Sequence, residues 1–72
     1  MEYGHKFKEL REDKDLTQAE VAKRIGTTQQ QIYKYEANIQ EMTGSRLKEF
    51  CQFYGVSADY ILGLPKGLMW PR

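Results

Sequence analysis

The chain has 72 residues, which is enough for one small domain. The chain has eleven Lys and Arg residues and ten Asp and Glu residues, which gives a net charge of +1. This charge excludes a basic nucleic-acid tail, but it does not exclude a local basic or neutral surface that contacts nucleic acid. A single cysteine excludes an internal disulfide, and one cysteine with one histidine argues against a zinc site.

Five short helices are predicted, because no stretch of six residues alternates apolar and polar side chains as a half-buried strand does. The first helix is expected at about residues 5–13. The second opens at Thr17, which has the spacing of a capping box with Glu20. Gly26 ends this helix, where a residue with positive φ is favoured. The pattern therefore predicts an all-α fold.

The third helix is predicted to open at Thr28, with Gln31 in the reaching-back position of a second capping box. Ile32 and Tyr35 are predicted to point inward at a spacing of three residues. The opposite stripe can form hydrogen bonds and has no carboxylate; its members are Gln29, Gln30, Tyr33, Lys34 and Ala37. This stripe is the candidate for contact with a polar partner.

A loop over residues 38–44 and two more helices are predicted to complete the domain. The fourth helix, at 45–54, is expected to bury Leu47, Phe50, Cys51 and Tyr54. Ser57 is predicted to cap a last short helix, with Tyr60 in the core. The domain is expected to span residues 1–64, and residues 65–72 to form an irregular tail.

The short connection at residues 26–28 joins two capped helices into a helix-turn-helix unit at 17–37. So short a connection requires the second helix to cross the first at a steep angle. The outer stripe of the later helix then protrudes as a ridge, and one α-helix fits the major groove of DNA. Amide N–H groups at Gln18, where the earlier helix begins, can hold a phosphate.

The segment 10–64 resembles the Cro/repressor-type helix-turn-helix family, the xenobiotic-response-element class of bacterial and phage regulators. The matching runs are LTQAEVA at 16–22, IGTTQQQI at 25–32, YE at 35–36 and YGVSADYILGL at 54–64. Residues 26–30 are similar to those of lambdoid phage repressor DNA-binding domains. The resemblance implies a compact five-helix, lambda-repressor-like domain that binds operator DNA and regulates transcription.

The resemblance also implies residue roles. Base reading is implied for Gln29, Gln30 and Lys34, with Gln31 and Tyr33 flanking them. Gln18 and Thr28 would contact phosphates, and Arg11 and Glu36 match a buried ion pair that ties the first helix to the third. Each of these residues also has a structural alternative. Gln29, Gln30 and Gln31 could form a solvated helix start, Lys34 could be a solvated surface lysine, and Tyr33 could partly cover the core.

One segment departs from the pattern of this family, and the C-terminal end has an unusual composition. The segment 37–44 carries one acid and no Lys or Arg, although basic residues there usually add phosphate contacts. The C-terminal end is more apolar than one small domain can cover, which predicts a dimer patch or a tail folded back on the core. The proposed patch comprises Ile61, Leu64, Leu68 and Trp70.

The functional expectation is a homodimer that binds a pseudo-palindromic DNA operator as a repressor. The alternative is an antitoxin-like or regulatory module of the same fold whose main partner is a protein. An enzyme is not expected, because the sequence has no nucleophile–base pair, no metal-ligand spacing and no Gly-rich phosphate loop; no cofactor is expected either. No apolar run approaches the roughly 20 residues of a membrane span, and no signal peptide is evident, so a cytoplasmic location is expected.

Overall fold

The computed structural model describes residues 3–64, and this range consists of five α-helices with no strand. The helices are α1 (Gly4–Asp13), α2 (Gln18–Ile25), α3 (Gln29–Glu36), α4 (Gly44–Tyr54) and α5 (Ala58–Leu62). The all-α, five-helix prediction is confirmed. Helices α1 and α4 each begin one residue earlier than the sequence predicted.

Hydroxyl side chains cap the beginnings of α2, α3, α4 and α5, whereas α1 has no side-chain cap. The capping box predicted before α2 is present: the Glu20 amide donates to Thr17 Oγ1 at 3.1 Å, and the Thr17 amide donates to Glu20 Oε1 at 3.0 Å. The second predicted box is only half formed. Thr28 Oγ1 accepts from the Gln31 amide at 3.1 Å, but the side chain of Gln31 does not complete the box. A neutral amide oxygen is a weaker acceptor than the carboxylate of Glu20.

Phe50 is the centre of the core. Its ring is fully buried and packs edge-on against Phe7 of α1 at 5.2 Å and against Tyr35 of α3 at 5.8 Å. The other buried core residues are Val21, Ala22, Ile32, Cys51, Tyr54 and Ile61. Aromatic pairs at these distances stabilise the core beyond the burial of their area. One cluster thus holds α1, α3 and α4 together behind the helix-turn-helix unit.

In helix α5, the burial of two neighbouring residues is the reverse of what the sequence predicted. Tyr60, predicted in the core, is 55% exposed, and Ile61, predicted in a dimer patch, is fully buried. Successive residues on a helix are about 100° apart, so two neighbours can differ widely in burial, as Tyr60 and Ile61 do. Lys6 supports this orientation, because its Nζ donates to the Tyr60 carbonyl at 3.0 Å and lies 5.5 Å from the ring centroid.

The structure therefore contradicts the predicted dimer patch at Ile61, and the rest of the patch stays a prediction. Ile61 belongs to the core of a single chain and cannot contribute to a surface patch. Leu64 is half-buried, and Leu68 and Trp70 lie outside the described residues. Leu47, predicted as buried, is also only half-buried and packs at the edge of the core.

The hydroxyl of Tyr54 is buried with no hydrogen-bond partner among the described residues. Burial, followed by the nearby charge of Glu36, raises the pKa of Tyr54 to about 12. A buried donor without a partner costs about 1–3 kcal/mol.

Tyr54→Phe is therefore expected to keep or raise the free energy of unfolding, measured by urea denaturation. The same substitution at a second buried tyrosine, Tyr35→Phe, is the comparison for the effect of removing a tyrosine hydroxyl from the core. A loss of more than about 1 kcal/mol on Tyr54→Phe would show that the hydroxyl does have a partner.

Candidate nucleic-acid interface

A glycine turn sets the angle between α2 and α3. Gly26 has φ +90° and ψ +38°, a left-handed conformation that glycine adopts without strain. The amides of Gly26 and Thr27 both donate to the Ala22 carbonyl at 2.9 Å and close the end of α2. Thr28 then caps α3. Residues 26–28 therefore join the two helices as the sequence predicted.

Helix α3 carries all five residues that are predicted to read bases or to flank the base-reading residues. Gln29, Gln30 and Tyr33 are exposed, while Gln31 and Lys34 are half-buried. The structure brings three of these residues together with Gln18 of α2, because Gln18, Gln29, Gln30 and Tyr33 line one shallow depression. The polar stripe is thus continuous with the beginning of α2.

A buried ion pair lies behind this stripe. Arg11 of α1 donates from Nε to Glu36 Oε2 at 2.8 Å and from Nη2 to Glu36 Oε1 at 3.0 Å. The side chains are only 12% and 3% exposed. Nη1 of Arg11 also donates to the Leu16 carbonyl at 2.8 Å, and the hydrogen bond to Glu36 raises the pKa of Arg11. The expected pair of Arg11 and Glu36 is present, and it fixes α3 to α1 and to the start of α2.

Gln18 joins the same network, which the sequence did not predict. Its Nε2 donates to Glu36 Oε1 at 3.1 Å. The two residues are 18 positions apart, and no local pattern indicates that they meet. The amide group of Gln18 was expected to contact a phosphate, but one of its two N–H groups is engaged with Glu36. Its backbone N–H belongs to the first turn of α2, where helix amides have no intrahelical acceptor.

Both carboxylates of the helix-turn-helix unit have partners within the fold. Glu36 is paired inward with Arg11. Glu20 is exposed but serves the cap of α2, and the hydrogen bond from the Thr17 backbone amide lowers the pKa of Glu20. Thr28 is exposed at the N-cap of α3, directly before the stripe in sequence. Both the chemistry and the charge of this face therefore suit an anionic, hydrogen-bonding partner.

Within residues 3–64, no three His, Cys, Asp or Glu side chains are grouped so that they could hold a metal ion. None of the helices in this range combines the length and apolar character needed to cross a membrane.

The glycine turn between two capped helices and the exposed polar stripe define a helix-turn-helix domain. The helix-turn-helix family matches residues 7–61, and the chain belongs to this family. The predicted resemblance to Cro/repressor-type regulators, which are DNA-binding regulators of transcription, is confirmed at the level of the family.

A similar curated protein is the uncharacterized HTH-type transcriptional regulator YobD of Bacillus subtilis (strain 168). The two sequences are 34% identical over 62 residues, which is 86% of this chain and 55% of the relative. The chain thus spans about half the length of that relative. No solved structure matches the chain significantly.

Proposed function

We propose that this protein is a sequence-specific regulator that binds double-stranded operator DNA and represses transcription by occupying the site. The observation that supports this function is the exposed stripe of α3, which is supported from behind by the buried pair of Arg11 and Glu36. A helix presented in this way fits the major groove. Repression by occupancy requires no catalytic group.

The stripe has side chains suited to base recognition. Gln29 and Gln30 can each bond to N6 and N7 of adenine, and Lys34 suits O6 and N7 of guanine. Gln31 and Tyr33 flank these residues and are proposed to contact bases or sugars beside them. The exposure of Gln29, Gln30 and Tyr33 supports these roles.

Phosphate contacts are proposed at the beginnings of α2 and α3. Gln18 is the first residue of α2, and Thr28 caps α3, so both lie at helix ends that favour an anion. Contacts of this kind position the protein on the duplex, and the base contacts then supply specificity.

We propose a homodimer, because two recognition helices related by a two-fold axis would lie in successive major grooves about 34 Å apart. A second candidate function is a protein-interaction module of the antitoxin type. It is favoured by one observation, the exposure of the large residues Tyr60 and Leu62 on α5. In-vitro selection of bound DNA distinguishes the two, since a module specific for a protein partner would enrich no DNA sequence.

Gln29→Ala and Gln30→Ala are expected to weaken operator binding by about 1–3 kcal/mol and to leave binding to random DNA nearly unchanged. Loss of a bidentate base contact removes discrimination between DNA sequences, but the phosphate contacts remain. Affinities for the selected operator and for random DNA, measured at one salt concentration, test this expectation.

The matched control for these variants is Gln52→Ala, which removes an exposed glutamine from α4. This variant should bind operator as the original chain does. An equal loss of affinity for operator and random DNA in the Gln29 or Gln30 variant would refute the base-reading role.

A further inference from the structure

We infer that residues 65–72 dock along an apolar groove on α4 of the same chain, with the side chains of Leu68, Met69 and Trp70 as the apolar contacts. These residues lie outside the described range, whereas the groove is formed by residues 44–58. Of the two alternatives that the sequence left open for this end of the chain, a dimer patch and a tail folded back on the core, the geometry of α4 and α5 favours the second.

The α4 groove runs the length of that helix. Its lining residues on α4 recur at intervals of three and one positions, which places them on one face. The surface of the groove is mostly apolar, and Cys51, only 7% exposed, forms part of its floor. Leu47 and Val56 are half-buried there, so part of their apolar surface is left to be covered. The lining residues are Gly44, Leu47, Lys48, Cys51, Gln52, Gly55, Val56, Ser57 and Ala58.

The chain turns at the end of α5 toward this groove. Gly63 has φ +70°, and its amide donates to the Tyr60 carbonyl at 3.3 Å. The amide of Leu64 donates to the Asp59 carbonyl at 3.0 Å. These are the two hydrogen bonds of a Schellman motif, in which a left-handed residue ends the helix. After this turn, Leu64 and Ser57 line one depression, so Leu64 lies back along α5 toward the residue that caps its beginning.

Ser57 connects the two features, because it also lines the α4 groove. The residues that follow Leu64 therefore start close to one end of the groove. The part of the groove on α4 spans residues 44–55, or about 17 Å at a rise of about 1.5 Å per residue. The six residues from 65 to 70 reach about 20 Å when extended, which is enough to bring Leu68, Met69 and Trp70 into the groove.

The chemistry of the groove suits this segment. Lys48 is its one charged lining residue, so binding there depends on apolar contact rather than on charge. Large apolar side chains that enter the groove would remove apolar surface of both the segment and the groove from water. None of the lining residues belongs to the polar stripe of α3, so docking leaves the proposed DNA-reading face open.

The first test uses Trp70, the one tryptophan of the chain. In the unchanged protein, its fluorescence should lie at shorter wavelength than in urea, and Ala58→Glu should shift it toward the emission of the unfolded chain, because a charge then enters the groove. Ala58 is exposed in the first turn of α5, where an acid favours the helix, so the fold should stay intact. Ser45→Glu is the matched control, exposed in the first turn of α4 but outside the groove, and it should leave the emission unchanged.

The second test uses Cys51, the one cysteine, which measures the same contact from the groove. Its thiol should react with an aromatic disulfide reagent about 10–100-fold faster when Leu68→Ser, Met69→Ser and Trp70→Ser are combined, as expected for the loss of burial of at least one large apolar side chain. Lys66→Ser, in the same segment, is the control and should keep the slow rate. Circular dichroism and thermal unfolding establish that each variant is folded.

Both signals should be the same over a wide range of protein concentration, because a contact within one chain does not depend on mass action. A dependence on concentration would mean that a second copy fills the groove, and this overturns the inference. It is also overturned if Trp70 of the folded protein emits as it does in urea, or if the thiol of Cys51 reacts at the same rate in the serine variant and in the unchanged protein. The groove would then be open to a different protein, and none of these outcomes bears on the proposed binding of DNA.

Discussion

Replacing Arg11 with methionine is expected to lower the free energy of unfolding by about 3–5 kcal/mol. The substitution leaves the carboxylate of Glu36, whose side chain is 3% exposed, with the amide of Gln18 as its one remaining hydrogen-bond partner among residues 3–64. An uncompensated buried charge is among the most costly defects in a folded protein. Because a domain of this size has only a few kcal/mol of stability, most of the variant should be unfolded at 37 °C.

Urea denaturation followed by circular dichroism measures this effect, and the chain offers a matched control. Arg46 of α4 pairs with Glu49 at 3.2 Å, but their side chains are 26% and 48% exposed. Arg46→Met should therefore cost no more than about 1 kcal/mol, as for other surface pairs. If Arg11→Met and Arg46→Met lower the free energy of unfolding equally, burial is not what makes the loss of Arg11 costly.

A double variant separates the charge from the packing. Arg11→Met combined with Glu36→Leu removes both charges and should recover most of the stability lost in Arg11→Met, because apolar replacements of buried pairs are often neutral. The same double variant frees Gln18 from Glu36. If Glu36 positions Gln18 for DNA, the recovered protein should still bind the operator less tightly than the original chain does.

The sequence predicted the features that depend on local chemistry. The capping box at Thr17 and Glu20, the glycine turn at Gly26 and the inward positions of Ile32 and Tyr35 each follow from a spacing of three or four residues or from one conformational preference. The family resemblance supplied the pairing of Arg11 with Glu36, which periodicity alone does not reveal.

The sequence did not predict features that depend on how elements meet in space. Helix α5 has only five residues, too few for periodicity to distinguish an inward Ile61 from an inward Tyr60. The contact of Gln18 with Glu36 requires the angle between α2 and α3, and so does the shallow depression that Gln18 lines with Gln29, Gln30 and Tyr33. Base contacts by this stripe remain a prediction, since they depend on a partner molecule.

Gly4→Ala is expected to lower the free energy of unfolding by about 3 kcal/mol. Helix propensity alone predicts the opposite sign, because alanine in a helix is favoured over glycine by about 1 kcal/mol. The structure reverses this expectation. A β-carbon at Gly4 would overlap the Tyr35 carbonyl oxygen and would lie 2.6 Å from Oδ1 of Asn38. The Tyr35 oxygen belongs to the backbone of α3, so it cannot move without displacing that helix.

The close approach at Gly4 also carries a hydrogen bond, since its amide donates to Asn38 Oδ1 at 2.9 Å. Separating α1 from α3 to admit a methyl group would break this bond as well. Gly44→Ala is the matched control, because Gly44 also begins a helix and a β-carbon there meets no atom within 4 Å. Thermal unfolding should therefore show a loss for Gly4→Ala and a small gain for Gly44→Ala. Equal gains for both would mean that α1 can shift from α3 without cost, and the backbone packing behind the recognition helix would not be rigid.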